Sequence, residues 1–193
     1  MKIFSFVQPN FQQGPKEFNA HYLPYSAGVL WSYVNSFSVI NNYYKLGKFI
    51  WKRDDIQQTI EQLLTSDIVG FSTYVWNKNY NYTLAKKLKK VKPDVKIIFG
   101  GPEPPISRNN FFQIFPFIDI MIKQEGEYTL RKVLECLDSE EKLLSIPGLL
   151  INKSGTVFDT GSATRIKDLK LIPSPYLSGL FDEIMFDNKD IEW

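Results

Sequence analysis

Two apolar segments that each end in small residues constrain the fold of this chain more than any other feature. The first covers residues 68–73 and ends in a serine and a threonine, and the second covers residues 96–101 and ends in two glycines. A continuous apolar run of this kind, followed by a helical pattern, is typical of a parallel strand that is buried on both faces. Because ligands bind at the carboxyl ends of the strands in open α/β sheets, the two segments predict a binding edge.

The residues at the ends of these segments are the candidate ligand contacts. Ser72 and Thr73 offer hydroxyl groups, whereas Gly100 and Gly101 let the backbone approach a ligand closely. Pro102 then fixes the direction in which the chain leaves the strand. We expect that a side chain on Gly101 would project into the space that a planar ligand group needs. The alternative is that each motif, taken alone, is an ordinary tight turn between a strand and a loop.

Alternating strand and helix patterns predict an α/β fold. The expected strands cover residues 3–7, 48–51, 67–73, 95–99 and 118–122, the expected helices cover 24–36, 55–65, 77–92 and 126–138, and residues 106–115 form a short helix or irregular segment. These units predict a doubly wound, five-stranded parallel sheet of the Rossmann type in the flavodoxin-like strand order. A β-hairpin follows within residues 149–158, and then an extended connector. We expect an α/β domain at residues 1–145 and a hairpin with a linker at residues 146–193.

Five motifs occur in an order that carries a family resemblance. They are Gly70-Phe71-Ser72 through Trp76-Asn77, Gly100-Gly101-Pro102-Glu103, Glu125-Gly126-Glu127-Tyr128-Thr129-Leu130, Ile146-Pro147-Gly148 and Ile172-Pro173-Ser174-Pro175-Tyr176-Leu177. From Ile3 to about Phe181 the chain resembles the amino-terminal cobalamin-binding domain of cobalamin-dependent radical S-adenosylmethionine enzymes. The resemblance implies that the chain binds cobalamin with its nucleotide tail displaced and presents it to a radical S-adenosylmethionine barrel, most often for methyl transfer.

The resemblance also implies which residues line the slot for the displaced tail. They are Ser72, Thr73, Gly100, Gly101, Pro102, Glu125 and Gly126. Hydroxyl and amide donors suit the phosphate and sugar of the tail, and glycine suits the place where the base meets the backbone. One position departs from the family pattern Gly-Glu-Gly-Glu, because Gln124 stands at its first glycine. Either Gln124 points away from the slot or the slot is narrower, and the alternative function is a structural or docking domain that does not bind cobalamin.

The chain has one histidine and one cysteine, which limits the chemistry it can perform. Cys136 cannot supply the several thiolates of an iron–sulfur cluster. The Asp-x-His-x-x-Gly motif, with which relatives of methionine synthase ligate cobalt, is absent from this sequence, and His21 lacks both its spacing and its carboxylate. We therefore expect no metal ligand and no catalytic residue in this chain. S-adenosylmethionine and a 4Fe-4S cluster then belong to a downstream barrel that this sequence lacks. The chain alone is expected not to be catalytic but to be part of a methyltransferase.

Charge and hydropathy argue against two classes of partner. The formal net charge of +2, from 23 basic and 21 acidic residues, gives no electrostatic case for binding nucleic acid or an anionic membrane. No apolar run approaches the roughly 20 residues of a membrane span. Met1 and Lys2 lead directly into the first strand, without a signal peptide. We therefore expect a cytoplasmic protein.

The long loop from Gln8 to Leu23 is a candidate lid over the ligand.

Overall fold

The strands form one mixed sheet. A computed structural model of the chain describes residues 1–11, 19–104, 110–163 and 165–193, and seven strands occur within those ranges. They are β1 (Lys2–Val7), β2 (Tyr44–Ile50), β3 (Ile68–Ser72), β4 (Lys96–Gly100), β5 (Ile120–Ile122), β6 (Leu149–Lys153) and β7 (Thr156–Asp159). Their order is β2-β1-β3-β4-β5-β6-β7, with β1 to β5 parallel and β6 and β7 antiparallel. The parallel part confirms the doubly wound, flavodoxin-like fold.

Helices cover both faces of the sheet. They are α1 (Tyr25–Asn35), α2 (Ser38–Tyr43), α3 (Ile56–Leu63), α4 (Lys78–Val91), α5 (Phe111–Ile114), α6 (Glu127–Cys136), α7 (Glu140–Leu144) and α8 (Asp182–Asp187). α1, α2, α6 and α7 share a core with one face of the sheet, and α3, α4 and α5 share a core with the other. Successive side chains of β3 alternate between these two cores, since Ile68 enters the first and Val69 the second. Burial on both faces explains the continuous apolar pattern of the central strands.

The structure differs from the sequence-based expectation in several places. β2 begins at Tyr44 rather than at residue 48, and α2, α7 and α8 lie in stretches for which no helix had been expected. The hairpin of β6 and β7 extends the same sheet, because β6 pairs with β5. The backbone of β6 thereby pairs with the outer edge of β5, which would otherwise present unpaired backbone groups. The expected domain division after residue 145 remains a prediction. Residues 12–18 of the expected lid and residues 106–109 of the expected short helix lie outside the described ranges.

The connector, residues 160–193, crosses from the β7 edge toward the β2 edge. Phe181 is buried against Gly28 of α1, where the missing side chain of the glycine makes room for the aromatic ring. Trp193 packs on Trp51, which follows β2, with 4.8 Å between the ring centroids. The connector therefore packs on α1 around Phe181 and on the end of β2 at its last residue. In the described part of the chain, no helix is long and apolar enough to cross a membrane.

Candidate functional site

A cavity of about 500 Å³ lies between the sheet and the helices α1 and α6. Its floor consists of side chains and backbone on one face of the sheet, contributed by Phe4, Phe6, Gly70, Ile98 and Ile122. The leucines of α1 and α6 form apolar walls. The cavity opens where the parallel strands end, and its volume falls within the range of about 300–1,000 Å³ that is usual for small-molecule sites. Its interior suits a flat apolar group.

Three hydroxyl groups converge on the rim of this cavity, from α1, from β3 and from the turn after β3. Tyr74 Oη donates a hydrogen bond to Ser26 Oγ over 3.0 Å, and Ser72 Oγ lies 3.2 Å from the same oxygen. Ser26 Oγ donates in turn to Gln8 Oε1 over 2.9 Å, and the same oxygen of Gln8 accepts from the Ala27 amide at the start of α1. Because a hydroxyl group both donates and accepts, this network can exchange a bond for one to a polar ligand atom. It gives the apolar cavity a polar mouth.

The turn after β3 and the turn after β4 touch, and Gly101 makes this contact possible. The Thr73 amide donates to the Gly100 carbonyl over 2.8 Å, and the Glu103 amide donates to the Thr73 carbonyl over 3.3 Å. Gly101 has a φ of +101°, and a Cβ on it would lie 2.8 Å from the Thr73 amide nitrogen and closer still to the carbonyl oxygen. A side chain on Gly101 would therefore meet backbone rather than the open cavity, in contrast to the sequence-based expectation.

Gly100 is the glycine of this pair that leaves room for a ligand. A Cβ built on Gly100 has ordinary contacts only, 3.8 Å and 4.0 Å from atoms of Ile122. Gly126, at the start of α6, is tighter, since its Cβ would lie 3.0 Å from Leu30. The fold accepts a side chain at position 100, and that side chain would occupy the cavity. The absence of one at this strand end is therefore a feature of the cavity rather than of the turn.

Gln124 directs its side chain toward the connector. The residue has a φ of +60°, in the left-handed region that favours glycine, which is the residue expected here from the family pattern. Its Oε1 accepts a hydrogen bond from the Ala163 amide over 3.0 Å. The next residue, Glu125, pairs with Arg165 of the connector, with 3.5 Å between Oε1 and Nε. All of these contacts lie at the rim, so the connector forms part of the mouth.

Most of the site residues expected from the sequence come together around the cavity. Those that line it are Ser72, Gly100, Gly101, Pro102, Glu125 and Gly126. Thr73 lies behind the rim, fully buried, and its Oγ1 accepts a hydrogen bond from Asn81 Nδ2 over 3.1 Å. The lining residues that the sequence did not indicate include Ser26, Leu30 and Arg165. No local motif marks them, because helix packing and the path of the connector bring them to the site.

An aromatic cluster adjoins the mouth. It comprises the exposed Phe11, Tyr22 and Trp76 and the half-buried Tyr74. Tyr74 and Trp76 stack with 4.6 Å between their centroids, and Phe11 meets both Trp76 and Tyr22 edge-on at about 6 Å. Arg53 donates a hydrogen bond to the Trp76 carbonyl, which fixes the turn from a neighbouring loop. Since large exposed apolar surfaces mark binding sites, this cluster extends the candidate site beyond the cavity.

His21 belongs to a different part of the molecule. Its ring packs edge-on against Trp51 at 5.5 Å, and its backbone amide donates to the Glu192 carbonyl. Burial and the nearby Lys52 ammonium hold the pKa of His21 below its usual value, so that the imidazole is neutral at pH 7. Nδ1 is buried and has no hydrogen-bond partner among the residues that the structure describes. His21 is not among the residues that line the cavity.

Comparisons with known proteins point to one family. The family described as "B12 binding domain" matches residues 36–134. The chain is 29% identical over 162 residues to the cobalamin-dependent radical SAM methyltransferase TokK of Streptomyces tokunonensis. It is 27% identical over 162 residues to the 2-(S-pantetheinyl)-carbapenam-3-carboxylate methyltransferase of Streptantibioticus cattleyicolor. Each alignment covers 83% of this chain and 24% of the relative, so the chain spans about a quarter of their length.

Solved structures agree with these relatives. The cobalamin-dependent S-adenosylmethionine radical enzyme OxsB, with aqua-cobalamin and S-adenosylmethionine bound, matches with a TM-score of 0.72 and 26% identity. That match covers 96% of this chain and 25% of the OxsB chain. The radical S-adenosylmethionine methyltransferase TsrM of Kitasatospora setae, with cobalamin and a [4Fe-4S] cluster bound, matches with a TM-score of 0.62 and 16% identity, which shows a shared fold alone.

Proposed function

This chain belongs to the family of B12-binding domains, and from that premise we propose that it binds cobalamin with the nucleotide tail displaced from the cobalt and inserted into the cavity. The observation that carries the proposal is the shape of the cavity, with an apolar interior between sheet and helices and a polar mouth at the strand ends. The flat, apolar base of the tail fits the interior. The sugar and phosphate of the tail fit the mouth, where Ser26, Ser72 and Tyr74 present hydroxyl groups.

The corrin ring would then lie over the carboxyl edge of the sheet. The aromatic cluster is exposed at this edge, and the exposed fractions of Phe11, Tyr22 and Trp76 are 45%, 51% and 41%. A broad, mainly apolar macrocycle would remove these rings from water, which stabilises a complex by roughly 25 cal/mol per Å² of apolar surface buried. In this proposal, the chain holds and orients the cofactor, and the aromatic rings keep water from one of its faces.

We further propose that the chain presents cobalamin to a radical S-adenosylmethionine domain, in which S-adenosylmethionine and a 4Fe-4S cluster would be bound. The relatives that support this are named as cobalamin-dependent radical SAM enzymes and methyltransferases, and they are about four times as long as the chain. Bound cobalamin would supply a carrier for a methyl group. The residues of this chain would contribute binding and orientation.

A direct binding experiment tests the proposal. The purified chain is mixed with hydroxocobalamin, passed through a desalting column, and examined by visible absorption. We expect the corrinoid to stay with the protein and to show a changed spectrum. A chain that is folded by circular dichroism but retains no corrinoid at high micromolar concentration would contradict the proposal. That result would favour the alternative, a docking domain that does not bind cobalamin.

A further inference from the structure

Arg165 is the cationic residue of the candidate site. Among the described residues that line the cavity, Arg165 alone carries a positive charge, while Glu125 and Glu127 carry negative charges. The nucleotide tail of cobalamin contains a phosphodiester, which is an anion. We propose that Arg165 binds this phosphate, an inference that rests on the proposed function. Without Arg165, an anionic tail would face two carboxylates at the mouth.

Two contacts hold the connector at the rim just before Arg165. The Ala163 amide donates to Gln124 Oε1 over 3.0 Å. Ala163 also packs over Gly148, where a Cβ would lie 2.6 Å from that of Ala163 and where φ is +92°. The Ile-Pro-Gly motif therefore supplies the gap in which the connector rests. On the other side of Arg165, Ile166 packs against the core that α1 and α6 share with the sheet.

The departure at Gln124 thus has a consequence for the ligand. A glycine at this position would satisfy the left-handed backbone but would lack the side-chain oxygen that binds the Ala163 amide. In this chain the Gln124 side chain holds Ala163 of the connector at the mouth of the cavity. Arg165, two positions after Ala163, therefore lies at the rim. We infer that Gln124 and Gly148 position Arg165 for the phosphate.

The partner of Arg165 in the structure is one that a phosphate can replace. The ion pair with Glu125 joins two side chains that are 71% and 50% exposed, with 3.5 Å between Nε and Oε1. Exposed pairs of this kind are weak, because water and salt screen them. A guanidinium group can donate two parallel hydrogen bonds to a phosphate, which fixes both distance and orientation. A phosphate can therefore take the place of Glu125 as the partner of Arg165.

Three corrinoid probes separate a phosphate contact from a general loss of structure. Hydroxocobalamin carries the full tail, cobinamide phosphate ends at the phosphate, and aquocobinamide has neither phosphate nor base. We expect Arg165→Gln to weaken binding of the first two probes about tenfold, equivalent to about 1.4 kcal/mol, and to leave aquocobinamide unchanged. Lys167→Gln is the matched control, since it removes one positive charge from the same exposed segment outside the cavity lining. It should change none of the three affinities.

Two further measurements strengthen the test. Arg165→Lys keeps the charge but loses the planar fork, so it should recover part of the affinity. Gln124→Gly should weaken only the two phosphate-bearing probes, by loosening the connector. Raising sodium chloride from about 50 to about 500 mM should weaken hydroxocobalamin binding to the wild type more than to Arg165→Gln.

These experiments distinguish failure of the phosphate assignment from failure of the proposed function. If Arg165→Gln lowers the affinity of all three probes equally, or of none, the phosphate assignment is wrong while the cobalamin proposal stands. If the folded wild-type chain binds no corrinoid at all, the proposed function itself fails.

Discussion

Substitutions at Gly100 test whether the cavity holds the ligand without disturbing the fold. Gly100 ends β4, and a Cβ there would have its nearest neighbours at 3.8 Å and 4.0 Å. Valine is well accommodated in strands, and glycine within a strand costs about 0.5–1 kcal/mol relative to alanine. We therefore expect Gly100→Val to leave the free energy of unfolding unchanged or to raise it by up to about 1 kcal/mol.

The same valine should lower the affinity for cobalamin, because its three side-chain carbons occupy space in the cavity. Inserting such volume into a packed site costs about 1–3 kcal/mol, which corresponds to a roughly 5- to 150-fold loss of affinity. A graded series of alanine, valine and leucine at position 100 should weaken cobalamin binding in the order of side-chain volume.

Gly101→Ala is the contrasting variant, because it should lower stability by about 1–3 kcal/mol through its strained φ and the collision with Thr73.

Two measurements on each variant give the answer. Urea unfolding followed by circular dichroism reports stability, and titration of visible absorption reports the affinity for hydroxocobalamin. If Gly100→Leu is as stable as the wild type and binds cobalamin as tightly, the tail does not enter this cavity, and the placement of the ligand is refuted.

Three shorter predictions follow from other contacts. Asn77→Ala removes three hydrogen bonds to surrounding backbone, two of them buried, and we expect a loss of about 2–3 kcal/mol in urea unfolding. His21→Ala should leave cobalamin affinity and absorption nearly unchanged, and a large spectral shift would show that the imidazole contacts the cofactor. The hydrogen bond from Lys123 holds the pKa of Asp159 below its usual value, so this pair should stabilise the fold above about pH 4 and lose that contribution at lower pH. Asp159→Asn should flatten that part of the stability–pH curve, and an unaltered curve would contradict the assignment.

The sequence predicted the parallel core of the fold because burial on both faces leaves a clear local pattern. β3 and β4 are continuous apolar runs, and both were found within one or two residues of their expected bounds. β2 is an edge strand in which Lys45, Gly47 and Lys48 interrupt the apolar residues, so its first half lacked a continuous apolar run. The hairpin was predictable from its turn residues, but its pairing with β5 was not, since a local pattern does not identify the edge to which a hairpin adds.

The residues of the candidate site also fall into those that a local sequence pattern predicts and those that it does not. Residues at the strand ends were predictable because small and hydroxylated residues interrupt apolar runs there. Ser26 and Arg165 were not, since each reaches the mouth through packing between segments that are distant along the chain. The sequence also left open whether the Gln124 side chain points into the slot or away from it. In the structure it points toward the connector, because the Ala163 amide donates a hydrogen bond to its Oε1.

Electron paramagnetic resonance of bound cob(II)alamin tests the central claim most directly. When a nitrogen atom coordinates the lower face of the cobalt, its nuclear spin splits the cobalt lines into triplets. With the tail in the cavity and His21 outside its lining, no nitrogen should reach the metal, so we predict lines without this splitting in both the wild type and His21→Ala. Triplet splitting in the wild-type complex would contradict the account, and its persistence in His21→Ala would show that the tail base still coordinates the cobalt.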